Sequence, residues 1–174
     1  MSSPKYDYAF SVKIVGEKAV GKHCFILRLA DALLTEENKI ATHIFEINQK
    51  IIKVMMEIIE GDEEFRSISA TNFQGIHGIL LLYDITDQNS FKNLRNWLQQ
   101  IKANQSIKVV LLGTKSDKID DRAINEEEGK KLADEFNIGF FECSAKINTN
   151  IRESGYYLVD EILKDEEKHL KKQK

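Results

Sequence analysis

Two short, almost uninterrupted apolar runs, residues 78–83 and 108–112, bracket a segment whose apolar residues share one helical face, and few folds accommodate that arrangement. A strand buried on both faces reads as a continuous apolar run, whereas a strand with one wet face alternates. Between the two runs, residues 90–102 carry Phe91, Leu94, Trp97, Leu98 and Ile101 at amphipathic-helix spacing. Residues 126–136 and 151–163 repeat that spacing, with an apolar strand at 139–143 between them. Strands alternating with helices predict a parallel sheet covered by helices on both faces.

The first part of the chain extends the pattern. Residues 10–15 alternate and stop at Gly16, which predicts a strand running into a tight turn. Residues 20–34 place Phe25, Leu29, Ala32 and Leu33 at helical spacing. Two β-rich runs, 42–47 and 51–59, are joined by Asn48, Gln49 and Lys50, a spacing that predicts a hairpin. The expected fold is α/β: a six-stranded, mostly parallel sheet with one antiparallel edge strand.

Composition narrows the function. A chain of 174 residues has room for one core, and one proline with nine glycines leaves no linker at which to divide it. The expected organisation is one domain, 1–163, and a charged tail, 164–174. A net charge of −3 offers no basic face for a nucleic-acid duplex. The longest apolar stretch, 79–82, is far too short to cross a bilayer, and residues 1–5 hold no apolar signal region. Cys24 and Cys143 lie far apart with no metal-ligand spacing, as expected of reduced core thiols in a cytoplasmic protein. The tail has no cysteine and so no prenylation site: either the chain is not lipid-anchored or its natural C-terminus lies further on.

In parallel α/β sheets ligands bind at the carboxyl ends of the strands. The loops after Val15, Ile58, Tyr83, Leu112 and Cys143 are therefore where chemistry is expected. The first of them, Gly16-Glu17-Lys18-Ala19-Val20-Gly21-Lys22-His23, fits G-x-x-x-x-G-K. In that loop backbone amides wrap phosphates and the lysine reaches the outer ones. The candidate phosphate-binding residues are Gly16, Lys18, Ala19, Val20, Gly21, Lys22, His23 and Cys24.

Two later segments carry a family resemblance. Gly113-Thr114-Lys115-Ser116-Asp117 and Glu142-Cys143-Ser144-Ala145-Lys146 each follow or end an apolar strand. With the phosphate loop, they resemble the Ras superfamily of small GTPases, whose base-reading motifs are N/T-K-x-D and S-A-K. The resemblance implies a P-loop, Ras-like G domain that binds GTP and GDP, with Thr114, Lys115, Asp117, Ser144, Ala145 and Lys146 at the base. Asp117 would accept two N–H donors of guanine and would meet the wrong groups on adenine, which disfavours a P-loop kinase or ATPase. Lys115 would lay its stem on a base face, and Ala145 would offer its amide to the guanine oxygen.

Within the superfamily, Glu64-Phe65-Arg66-Ser67-Ile68, Asn72-Phe73-Gln74-Gly75-Ile76-His77-Gly78, Tyr83-Asp84-Ile85-Thr86-Asp87-Gln88-Asn89-Ser90-Phe91 and Asn96-Trp97-Leu98-Gln99 resemble the Rab branch. That implies membrane traffic and a cytoplasmic protein that works at membrane surfaces through protein effectors.

Several positions depart from the family. It holds Mg²⁺ through a P-loop Ser/Thr, a Thr in switch I and an Asp ending the third strand. Here the first is His23 and the third is Ile58 in Ile58-Ile59-Glu60-Gly61. Glu57 could replace the Asp only through a β-bulge, because one step along a strand reverses the side chain. The segment before the hairpin is about six residues shorter than a Rab's, leaving Thr35 and Thr42 as metal candidates outside the family's setting. The glutamine that orients the catalytic water is replaced by Asp62, beside Glu63 and Glu64. Lys18 stands where the family has a small side chain; it either blocks the γ-phosphate, replaces lost metal charge or points to solvent. The aromatic triad of Rab effector surfaces is reduced to Phe73, since Glu57 stands in the tryptophan position. The expectation is a GTP-binding protein with a weak or absent Mg²⁺ site and very slow hydrolysis. The rival reading is a scaffold that keeps the fold and binds no nucleotide.

Overall fold

β1 (Tyr8–Gly16) runs between β3 (Lys50–Glu60) and β4 (Gly78–Asp84), parallel to both. β5 (Lys108–Thr114) and β6 (Gly139–Glu142) continue the sheet in parallel, and β2 (Ile40–Ile47) closes the other edge antiparallel to β3. The order is β2-β3-β1-β4-β5-β6, the expected mixed sheet. It is a computed structural model, and it describes residues 5–30, 39–61, 73–104 and 106–173.

Every residue of β4 is buried, as its apolar run requires of a central strand. Its side chains alternate between two cores. Leu80 and Leu82 face α1 (Lys22–Ala30) and α5 (Ile151–Lys172), where Phe25, Ile26, Leu29, Leu158 and Ile162 fill one side. Ile79, Leu81 and Tyr83 face the opposite core, where α3 (Leu94–Lys102) supplies Leu94, Trp97, Leu98 and Ile101, and α4 (Glu126–Phe136) supplies Leu132 and Ala133.

Three boundaries differ from the sequence reading, and one expectation falls outside the described residues. The hairpin loop is two residues, not three: Ile47 pairs with Lys50, and Asn48 and Gln49 both have positive φ, the conformation that matches the strands' twist. The helix expected at 90–102 is two. α2 (Gln88–Lys92) starts early because the Asp87 carboxylate accepts from the Asn89 amide, and Asn93 separates it from α3. Residues 164–172 of the expected tail continue α5. The described part of the first helix covers Lys22–Ala30, so Ala32 and Leu33 lie outside the described residues.

Because five strands are parallel, their carboxyl ends line up along one edge. Gly16 sits beside Glu60 and Leu82, Asp84 beside Thr114, and Gly113 beside Glu142. Among the described residues no helix is long and apolar enough to cross a membrane.

Candidate functional site

The phosphate-type loop leaves β1 at Gly16, where a Cβ would lie 2.5 Å from the Leu82 carbonyl oxygen. Only glycine lets the loop turn so close to β4. Ala19 and Gly21 take positive φ, at 65° and 102°, and carry the chain into α1. Lys22 is 3% exposed; its ammonium donates to the Gly16 carbonyl at 2.8 Å and the Glu17 carbonyl at 2.6 Å. The lysine is thus stretched back over its own loop, the position from which it can meet an anion cradled there. Lys18 is exposed.

The second segment is tied to this loop. The Thr114 hydroxyl is 2.6 Å from the Val20 carbonyl and 3.0 Å from the Tyr83 carbonyl. Lys115 has φ 62°, which turns its side chain back: the ammonium lies 2.5 Å from Asp84 and 3.1 Å from the Ala19 carbonyl. Burial alone would raise the Asp84 carboxyl. Hydrogen bonds from Lys115 and from the Thr86 amide and hydroxyl outweigh it and hold the group below its ordinary value. Asp84 belongs to this site and the sequence reading missed it, although it ends the apolar run of β4.

The third segment meets the second through one short bond. The Ser144 hydroxyl donates to Asp117 at 2.6 Å, and this bond is the main reason its carboxyl lies below the usual carboxylate range. Ser144 and Thr149 exchange backbone hydrogen bonds, Asn150 donates to the Glu142 carbonyl, and Arg28 donates to the Ala145 carbonyl at 2.8 Å. A cavity of about 230 Å³ opens between these walls, lined by Gly21, Thr114, Lys115, Asp117, Ala145 and Lys146. Of the predicted binding residues, the three motifs therefore converge, and a planar ring with N–H donors on one edge would find the Asp117 carboxylate facing it.

Where the family departs, the structure separates the candidates. β1 and β3 pair without interruption from Tyr8 opposite Ile52 to Gly16 opposite Glu60, so no bulge turns Glu57 inward. Glu57 instead forms an ion pair with Lys13 on the neighbouring strand. Ile58 is 1% exposed and belongs to the core. Thr42 is exposed in mid-strand opposite Met55, away from the loop. Thr35, Asp62, Glu63 and Glu64 lie outside the described residues. Glu60, two residues beyond Ile58 and on the same strand face, reaches toward the loop, with one oxygen 3.7 Å from His23 Nδ1. The same alternation that turns Glu57 to one sheet face turns Glu60 to the other. Among the described residues no group of three His, Cys, Asp or Glu side chains is placed to hold a metal.

Two further expectations need correction. Cys24 is exposed rather than a core thiol, because the inward stripe of α1 is Lys22, Phe25, Ile26 and Leu29. Cys143 is buried, and burial pushes its thiol up to about 12. Phe73, the aromatic expected on an effector surface, is 4% exposed and packs in the core beneath α3.

An amide cradle with a buried lysine, joined to a carboxylate-edged cavity at the carboxyl ends of a parallel sheet, defines a P-loop nucleotide-binding domain of the G-domain type. The Ras family model matches residues 11–164, and the chain belongs to that family of small GTPases. It is similar to the GTP-binding protein ypt1 of Schizosaccharomyces pombe, at 39% identity over 87% of this chain and 79% of that protein. It is also similar to the Ras-related protein RIC1 of Oryza sativa subsp. japonica, at 38% identity over 92% of this chain and 83% of that protein.

Proposed function

We propose that this chain is an atypical Rab-like GTP-binding protein of membrane traffic, with a weak or absent Mg²⁺ site and very slow GTP hydrolysis. The observation that carries the reading is the Ser144–Asp117 hydrogen bond, which orients a charged carboxylate over the cavity beside the phosphate loop. Neither charge nor orientation at Asp117 is needed for packing. Lys22 and the amides of residues 18–23 hold the phosphates. Thr114 and Lys115 fix the loop to the base pocket, and Ala145 and Lys146 close it.

The residues present do not fit the family's Mg²⁺. That ion demands near-octahedral oxygen ligands. His23 brings an imidazole and Ile58 a buried alkyl group to the positions that supply them. No step is therefore assigned to a metal. Likeness to GTP-binding protein ypt1 supports guanine nucleotide as the ligand, and the Rab-like segments of the sequence support a place at membrane surfaces among protein effectors.

Titration of the purified protein with GTP, GDP and ATP, each with Mg²⁺ and with EDTA, tests the reading. Guanine nucleotides should bind and ATP should not, and EDTA should change the dissociation rate less than about tenfold, or 1.4 kcal/mol. Equal affinity for ATP, or release hundreds of times faster in EDTA, contradicts it. Absence of any nucleotide binding favours the scaffold reading.

A further inference from the structure

The space between the first turn of α1 and the end of β3 is where the family places its metal, and here two side chains span it. His23 follows Lys22 directly, and Glu60 is the last residue of β3, paired in register with Gly16. His23 Nδ1 and the Glu60 carboxylate are 3.7 Å apart; the His23 side chain is 37% exposed, but its Nε2 is covered and, among the described residues, has no hydrogen-bond partner. Buried polar atoms are almost always satisfied, so an orphaned ring nitrogen beside an anion cradle is a group waiting for an acceptor. Among the described residues the Lys22 ammonium can only donate, and the Glu57 carboxylate is drawn to the other sheet face by Lys13.

We infer that the His23 imidazole, braced by Glu60, takes the metal's place and donates an N–H to the terminal phosphate of a bound guanosine diphosphate. The inference rests on the guanine-nucleotide reading and deepens it. An imidazolium carries an N–H on each ring nitrogen, so Nδ1 can face the Glu60 carboxylate while Nε2 donates to a phosphate, a fixed donor that needs no dehydrated cation. Ile58 shuts out the ligand that would draw a metal into the same space, so the two replacements act together. Glu60 is a positioning residue; His23 touches the ligand.

The test compares GDP with GMP, both in EDTA, on the full chain. GMP reports the base pocket and lacks the outer phosphate. His23→Ala should weaken GDP at least tenfold and leave GMP within about twofold. Glu60→Gln should weaken GDP by a smaller factor in the same selective way, and it keeps a neutral side chain of the same shape should His23→Ala fold poorly. In the unmodified protein labelled at histidine ring nitrogens, the His23 resonances should shift on adding GDP and stay in place with GMP. Unchanged GDP affinity in His23→Ala, or equal losses for GDP and GMP, overturns the inference. So does a gain of a hundredfold or more when Mg²⁺ replaces EDTA in the unmodified protein. If neither GDP nor GMP binds the unmodified protein, the guanine-nucleotide reading itself fails and takes this inference with it.

Discussion

On the proposed reading Asp117 accepts two N–H donors of the base, which needs a charged carboxylate held in one plane, and the 2.6 Å bond from Ser144 favours both. We expect Asp117→Ala to cost on the order of 2–4 kcal/mol of GDP affinity, as for the loss of a charged hydrogen-bond partner, with GMP losing as much as GDP because the base is what it reads. Isothermal titration measures both. Asp84 serves stability instead. Its folded carboxyl lies below the ordinary value, so its contribution is complete above the unfolded value near 4 and is lost as pH falls through the lower folded one. Asp84→Asn should therefore cost about 1–3 kcal/mol at pH 7, and denaturant midpoints of variant and unmodified protein should draw together as pH falls below the unfolded value near 4. An offset that stays constant with pH contradicts the role given to its charge. Residues such as Asp117 and Ser144 were legible in the sequence because each motif is contiguous and follows a strand. Asp84 and Glu60 were not, because their partners, Lys115 and His23, come from the loop after β5 and the first turn of α1, which only the folded sheet brings alongside them.

Each element owes its place to burial, and that is why strands 78–84 and 108–114 could be read from their apolar runs while the far end of α5 could not. The inward stripe of α5 ends at Leu163, yet the helix runs on to Lys172. Residues 164–172 have little apolar surface to announce them. They are held by local pairs such as Lys164 with Asp160 and Glu161, and by Lys108 reaching Asp165 at 3.0 Å. The split at Asn93 was equally hidden, since both halves keep one apolar stripe against the same core. Packing between α5 and β4 is tight enough to test. A Cβ on Gly78 would meet Ile162 Cδ1 at 2.7 Å and both Leu158 methyls at 3.2 Å, all flexible tips. Gly78→Ala should cost about 1–3 kcal/mol and leave nucleotide affinity intact, because it lies at the end of β4 away from the site. Gly16→Ala meets the Leu82 carbonyl at 2.5 Å, a backbone atom that cannot swing aside, and should lose both stability and GDP affinity. Thermal unfolding with and without GDP separates the two; a Gly78→Ala protein that folds normally but no longer binds GDP would show the site is coupled to that end of the sheet.

Hydrolysis depends on parts contributed by the whole molecule: a metal between α1 and β3, a water held by residue 62, and a loop that keeps the γ-phosphate still. Metal and water-orienting groups act as a unit, so repairs to them should be strongly non-additive. On the proposed reading, Asp62→Gln alone leaves the γ-phosphate without a polarising ion, and we expect no gain in turnover. His23→Ser with Ile58→Asp supplies a hydroxyl and a carboxylate where the family has them, and should bring Mg²⁺ dependence first. The double replacement carries a cost that the structure makes plain. Ile58 is 1% exposed within the core, and Glu60 lies on the same face two residues on, without its imidazole once His23 is gone. Two carboxylates would then face one space, and without metal the protein should lose several kcal/mol of stability. Binding of Mg²⁺ to the folded state alone should restore part of that loss, visible as a rise in Tm with metal that the unmodified protein lacks. Adding Asp62→Gln to this pair should then give measurable turnover. It should remain slow, because a partner's arginine supplies about 10³–10⁵ of the family's rate and is absent from the reaction. Single-turnover hydrolysis of GTP across the series, with Tm read in Mg²⁺ and in EDTA, is the measurement. Substantial hydrolysis by the unmodified chain, or full rescue by Asp62→Gln alone, would place the catalytic defect somewhere other than the space between His23, Ile58 and Glu60.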